Sequence, residues 1–187
     1  MRILAICPTI YQEKCDKMYN SYEVTSSKYT KLLIINKKGS ITKLLNEAFE
    51  KHNDYDFYIP LNDDILFQTP LWDTTLAKKH TISYGDDGLQ HENLPTFPMI
   101  DGDFVRALGW LQMPTLHRYA GDCVWKFIGE NTGTLRYVPE VKITHNWDGC
   151  AEPMTNTLDM EKFSEWLPRS HDDINKIKEI LCKNTTA

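Results

Sequence analysis

The sequence predicts an α/β protein: a mostly parallel central sheet flanked by helices, followed by a C-terminal helical appendage. Three observations carry this. Short apolar runs of strand length recur at Arg2–Cys7, Lys31–Asn36 and Asp56–Leu61, and runs this brief, bounded by breakers, read as buried strands. The segments between them are helical in pattern, and strands alternating with helices imply right-handed crossovers in a parallel sheet. The chain has 187 residues, enough for one substantial core with a small addition.

The elements follow in order. The first run ends at Cys7-Pro8-Thr9, a strand entering a loop. Gln12–Ser26 is a polar, weakly periodic helix. The second run is continuous from Lys31 to Asn36 and stops at Lys37-Lys38-Gly39. Ser40 then stands at an N-cap position ahead of Ile41, Leu44, Leu45, Ala48 and Phe49 at helical spacing. His52-Asn53-Asp54 ends that helix and Asp56–Leu61 forms the third strand. Pro60 is awkward inside a central strand, where it removes a ladder donor, and a kink there would tip the next residues out of the sheet. A short helix over Trp72–Lys79, strands over Thr81–Tyr84 and Phe97–Ile100, helices over Phe104–Trp110 and Asp122–Ile128, and a last strand over Leu135–Thr144 follow. Beyond Asp148 the chain turns polar, until Ile174, Ile177, Ile180 and Leu181 mark a docking helix over Asp172–Cys182. The expected division is therefore residues 1–148 as an α/β domain, which the resemblance described below makes catalytic, and 149–187 as an extension with a docking helix.

A net charge of -5 argues against a broad grip on a nucleic-acid backbone. The cluster Lys28, Lys31, Lys37, Lys38 and Lys43 reads as a solvated face, and it leaves a local basic groove open. Five cysteines, odd in number and without a C-x-x-C pair, fit reduced thiols. The opening residues turn polar too soon for a signal peptide, and no run is long enough to span a membrane, so a cytoplasmic location is expected.

The chemistry concentrates at Asn62-Asp63-Asp64. Adjacent carboxylates at a strand end resist joint ionisation, and a divalent cation removes that cost. Ligands of open α/β sheets bind at the carboxyl ends of strands. Tyr84-Gly85-Asp86-Asp87 imitates a polymerase palm motif, but the chain is too short for fingers and thumb. Glycine and aspartate there fit a tight turn. His145 leaves a strand into a polar turn, as a metal ligand would. Asp122 sits at a helix start, where the dipole favours a carboxylate, and the same position at a cleft mouth suits a general base.

Taken together in this order, the residues resemble the nucleotide-sugar glycosyltransferases of the GT-A fold, particularly the family-2-like group, from Ile3 to about Trp147. That resemblance implies a Rossmann-like sheet and a nucleotide contact from Pro8 and Thr9. It implies a nucleobase contact from Asn36, donor-side roles for Lys43 and Asn46, and a D-x-D-type motif at Asn62-Asp63-Asp64. Asp63, Asp64 and His145 would hold Mn2+ or Mg2+, with Asn62 and Asp63 also meeting the donor. Asp122 would be the acceptor-side base. The chain departs from the family pattern in carrying Asn36 for the usual aspartate, Asn62 at the first acidic position, and Cys123 after the base.

The implied reaction moves a sugar from a nucleoside-diphosphate donor, expected to be a UDP-sugar, to an acceptor hydroxyl. Asp122 as base makes it inverting. The alternatives are a retaining transferase, a non-catalytic nucleotide-sugar-binding module, and a nucleotidyltransferase, whose Gly-rich opening loop Cys7–Lys14 lacks. A glycan, a lipid-linked sugar, a protein or a modified nucleobase all remain open as acceptor. Trp110, Tyr119 and Trp125 are aromatic candidates for stacking on it, or parts of the core.

Overall fold

The computed structural model describes residues 1–146 and 153–185. Its strands are β1 (Ile3–Thr9), β2 (Thr30–Asn36), β3 (Phe57–Pro60), β4 (Ile65–Phe67), β5 (Ile82–Asp86), β6 (Met99–Asp101) and β7 (Leu135–His145). The helices are α1 (Gln12–Thr25), α2 (Ile41–Lys51), α3 (Trp72–Leu76), α4 (Gly102–Leu108), α5 (Gly121–Thr132), α6 (Pro153–Trp166) and α7 (His171–Thr185). The strands form one sheet in the order β2-β1-β3-β6-β5-β7-β4. β1 pairs in parallel with β2 and β3, and β5 with β7. β6 runs antiparallel to β3 and β5, and β4 antiparallel to β7. Five strands thus share one direction, and the mostly parallel sheet is as expected.

The side-chain alternation of β1 divides the core between the two faces of the sheet. Ile3, Ala5 and Cys7 pack with Cys15, Met18 and Tyr22 of α1 and Trp72 and Leu76 of α3. Leu4 and Ile6 belong to the opposite face, with Leu45 and Phe49 of α2, Phe104 of α4, Trp125 of α5 and Ile177 of α7. Met18 and Tyr22 give α1 a narrow buried stripe, which is why its periodicity is weak in sequence. Ser40 caps α2 by accepting from Lys43 N, a contact that contributes on the order of 1 kcal/mol.

Pro60, the last residue of β3, costs the sheet no bond. Leu61 N–H donates to Ile6 O at 2.8 Å, so by alternation the missing donor of Pro60 faces the β6 side. There β6 pairs only with Phe57 and Tyr58, and no ladder bond is lost.

Three segments differ from the sequence expectation. The strand expected at Phe97–Ile100 is Met99–Asp101, and its antiparallel direction was not foreseen. β4, three residues long, and α6, in the polar stretch after Asp148, were not expected at all. The 148/149 division lies outside the described residues, as do Trp147 and Cys150. The described cysteines, Cys7, Cys15, Cys123 and Cys182, are free thiols.

Candidate active site

The carboxyl ends of β1 and β3 open into a cleft with two lobes. The larger, about 820 Å³, runs past Asp63, Asp64, Asp122 and His145. The smaller, about 410 Å³, lies over Pro8, Thr9, Lys37, Lys38 and Ser40. Both lobes share Asn62, Asp63, Asp64 and Arg118.

Asp64 and His145 meet because of backbone pairing. Ile65 of β4 stands opposite His145 of β7, and Asn146 N–H donates to Asp64 O at 2.8 Å. Asp64 Oδ1 then lies 3.3 Å from His145 Nε2. That oxygen is buried and, among the described residues, accepts no hydrogen bond. A buried carboxylate oxygen without a donor is costly, and a cation bound by this oxygen and the imidazole would relieve it. Phe97 packs edge-on against the His145 ring, with centroids 5.2 Å apart. Asp63 is held from the other side, its Oδ2 accepting from Thr9 Oγ1. Asp63 lines the cleft with Asp64 and His145, but the three do not converge on one point. The close pair is Asp64 and His145.

Asp122 occupies the first turn of α5, which Ala120 enters with φ 61°. Its Oδ1 accepts from Cys123 N at 2.8 Å. Burial pushes its carboxyl above the ordinary value, with that hydrogen bond and the His145 charge acting the other way. A carboxylate whose proton affinity is raised by burial, at a cleft wall, is suited to accept a proton.

The other expected donor residues divide. Pro8, Thr9, Asn62 and Asp63 line the smaller lobe. Asn36 ends β2 opposite Thr9, exposed and beyond the lining. Lys43 is exposed on α2, 3.8 Å from Glu47. Asn46 turns toward the protein: its Oδ1 accepts from Leu111 N and Gln112 N at 2.9 and 3.0 Å, and its Nδ2 donates to Gln112 O at 2.8 Å. It shapes the cleft through Gln112, which lines the larger lobe. Trp110 and Trp125 are core residues, 7% and 1% exposed, although Trp125 also floors the larger lobe beside Tyr119. Sequence reasoning missed Arg118, Tyr11 and Gln112, which sit in loops or bridge elements and leave no periodic trace.

The tight turn expected from Gly85 onward begins later: Tyr84, Gly85 and Asp86 are the last residues of β5, paired with β7, and the chain leaves the strand at Asp87. Asp87 Oδ1 accepts from the backbone N–H groups of Leu89, Gln90 and His91. Its carbonyl accepts from His145 N at 3.0 Å, anchoring the histidine. A second acidic group lies at the opposite end of the strands, where β3 and β5 begin, and ligand atoms of His80, Asp101 and Asp103 there fall within 4.8 Å of one another. Cations already serve it: Lys79 Nζ lies 3.4 Å from Asp101 and 3.5 Å from Asp103, and Arg106 lies 2.6 Å from Asp103. We assign it no metal.

No family model matches the chain, and no curated protein matches it in sequence. Solved structures are similar to it. One is a mannosyltransferase from Pyrobaculum calidifontis, PcManGT, in complex with GDP-Man and Mn2+. The TM-score is 0.59 at 10% identity, over 100% of this chain and 75% of that one. Another is A197 from STIV, with a TM-score of 0.53 at 14% identity, over 79% of this chain and 87% of that one. The chain has a glycosyltransferase fold, as its motif order implied. Among the described residues no helix is long and apolar enough to cross a membrane.

Proposed function

We propose that the protein is a metal-dependent glycosyltransferase that moves a sugar from a nucleoside-diphosphate donor to an acceptor hydroxyl. The observation that carries this reading is the orphaned Asp64 Oδ1 beside His145 Nε2, in the same cleft as Asp122. Asp64 and His145 would hold the metal, with Asp63 adding charge from its place against Thr9. A carboxylate–imidazole pair suits Mn2+ better than Mg2+, which prefers oxygen alone. Bound there, the metal would neutralise charge on the diphosphate as it leaves. Pro8 and Thr9, with Asn62, would receive the nucleotide, and Lys37 and Lys38 extend that lobe.

Asp122 acts as the base. The acceptor hydroxyl gives its proton to the carboxylate, its oxygen bonds the anomeric carbon, and the bond to the diphosphate breaks with its electron pair leaving on phosphate. Direct displacement inverts the anomeric centre. The expected UDP-sugar and the GDP-Man of the structural neighbour are both donors to try. A panel of UDP- and GDP-sugars titrated with and without Mn2+ tests the reading, and NMR of the product's anomeric proton tests inversion. A retained configuration would remove Asp122 from the role of base.

A further inference from the structure

The C-terminal segment ties down a loop of the cleft wall through one buried carboxylate. Asp159 of α6 is 2% exposed. Its Oδ1 accepts from His117 N at 2.8 Å, and its Oδ2 from Arg118 N at 2.8 Å and Tyr119 N at 2.7 Å. Burying an ionised carboxylate is expensive, and three directed N–H donors offset that cost while fixing the peptide planes that carry them. The carbonyl side of the same strap is tied as well. His117 O accepts from Ser40 Oγ at 3.0 Å and Thr42 N at 3.2 Å, and Arg118 O accepts from Gln112 Nε2 at 3.3 Å.

The strap determines where Arg118 stands. Of the residues common to both lobes, Arg118 is the cation, and Asp63 and Asp64 line both lobes as well. The junction between a nucleotide lobe and a lobe holding the base is where a donor's diphosphate must lie. A guanidinium binds paired phosphate oxygens through parallel N–H bonds. We propose that Arg118 binds the donor diphosphate and that Asp159 is a positioning residue that presents it. This rests on the glycosyl-transfer reading above.

The test measures Mn2+-dependent affinity for GDP, UDP and the matching monophosphates by calorimetry in wild type, Arg118→Ala, Asp159→Asn and the double variant. Arg118→Ala is expected to weaken diphosphate binding by about 10- to 100-fold, the range for a hydrogen bond to a charged group, and monophosphate binding much less. Asp159→Asn, which puts an amide N–H where Arg118 and Tyr119 donate, should weaken diphosphate binding about tenfold. The double variant should then match Arg118→Ala alone, because Asp159 acts through Arg118. Additive losses, or equal losses for mono- and diphosphate, would overturn the positioning role. If Asp159→Asn fails to fold, Arg118→Ala decides, since its side chain is exposed, and unchanged diphosphate affinity overturns the proposal. Wild type binding no nucleotide would overturn the transferase reading and this inference together. Wild type binding donor while every variant binds equally would overturn this inference alone.

Discussion

Asp64 Oδ1 stands 3.3 Å from His145 Nε2, and the three-residue strand β4 brings them there by pairing with the end of β7. Among the described residues the oxygen has no hydrogen-bond donor, so the arrangement is poor as structure and good as half of a metal site. Asp64→Asn is therefore expected to abolish Mn2+-dependent donor binding while leaving thermal stability unchanged or raised by up to about 1 kcal/mol. Calorimetry with Mn2+ and a melting curve without it check the two halves. A large loss of stability would mean the carboxylate is structural.

Asp122 makes a kinetic and a pH prediction. Asp122→Asn, which removes the proposed base, should lower kcat by about 10²- to 10⁴-fold with donor affinity kept. Its folded-state carboxyl is raised above the ordinary 3.8 by burial. The fold therefore favours the protonated form, and the associated stability, full below pH 3.8, is lost as pH rises through the folded value. Asp122→Asn should gain stability over wild type across that rise. Urea unfolding of both proteins in steps upward from pH 4 tests the sign.

Asp86 behaves oppositely. Lys142 Nζ, 2.5 Å away, holds its carboxyl down to about 2. The stability it contributes is present above the ordinary 3.8 and is lost as pH falls through about 2. Lys142→Met should cost about 1 kcal/mol at pH 7, since the lysine is half exposed and partly screened. The difference from wild type should shrink between pH 4 and pH 2, as read from chemical denaturation.

Gly85→Ala is expected to damage the site from a distance. A Cβ at Gly85 would stand 2.5 Å from Val141 O, where β7 bulges against β5 and its partner shifts from Val138 to Lys142. Relieving that overlap should cost about 1–3 kcal/mol. It should also weaken Mn2+ binding, because the displaced segment carries His145. Unimpaired metal binding in a folded Gly85→Ala would separate the bulge from the site.

Asn46→Ala separates two roles for one residue. Losing its three bonds to Leu111 and Gln112 should cost stability on the order of 2 kcal/mol. An effect on turnover should be confined to the lobe that Gln112 lines. Loss of donor affinity at unchanged stability would restore the donor-contact role.

What was legible in the sequence is what local chemistry writes. Apolar runs the length of a strand mark β1, β2 and β3, Ser40 is a cap by residue type and spacing, and Asn62-Asp63-Asp64 follows the third strand as an acidic end. Asp64, Asp122 and His145 were legible as ligand or base types, and the fold brings them into one cleft. The rest depends on long-range pairing. Ile65–Phe67 is too short for any period, and only register against β7 makes it a strand. Asn46 looks like a ligand residue until the backbone of Leu111–Gln112 arrives to use it. Asp159 lies in a polar stretch whose one buried carboxylate leaves no pattern, because its partners are backbone N–H groups of a loop distant in sequence.

The most direct measurement is calorimetric titration of UDP- and GDP-sugars into the wild-type protein, first in EDTA and then in Mn2+, repeated with Asp64→Asn. The account predicts that a donor binds only with Mn2+ and that Asp64→Asn removes this binding without unfolding the protein. Donor binding that is indifferent to EDTA and to Asp64→Asn, or no binding of any nucleotide sugar with Mn2+ present, would contradict it.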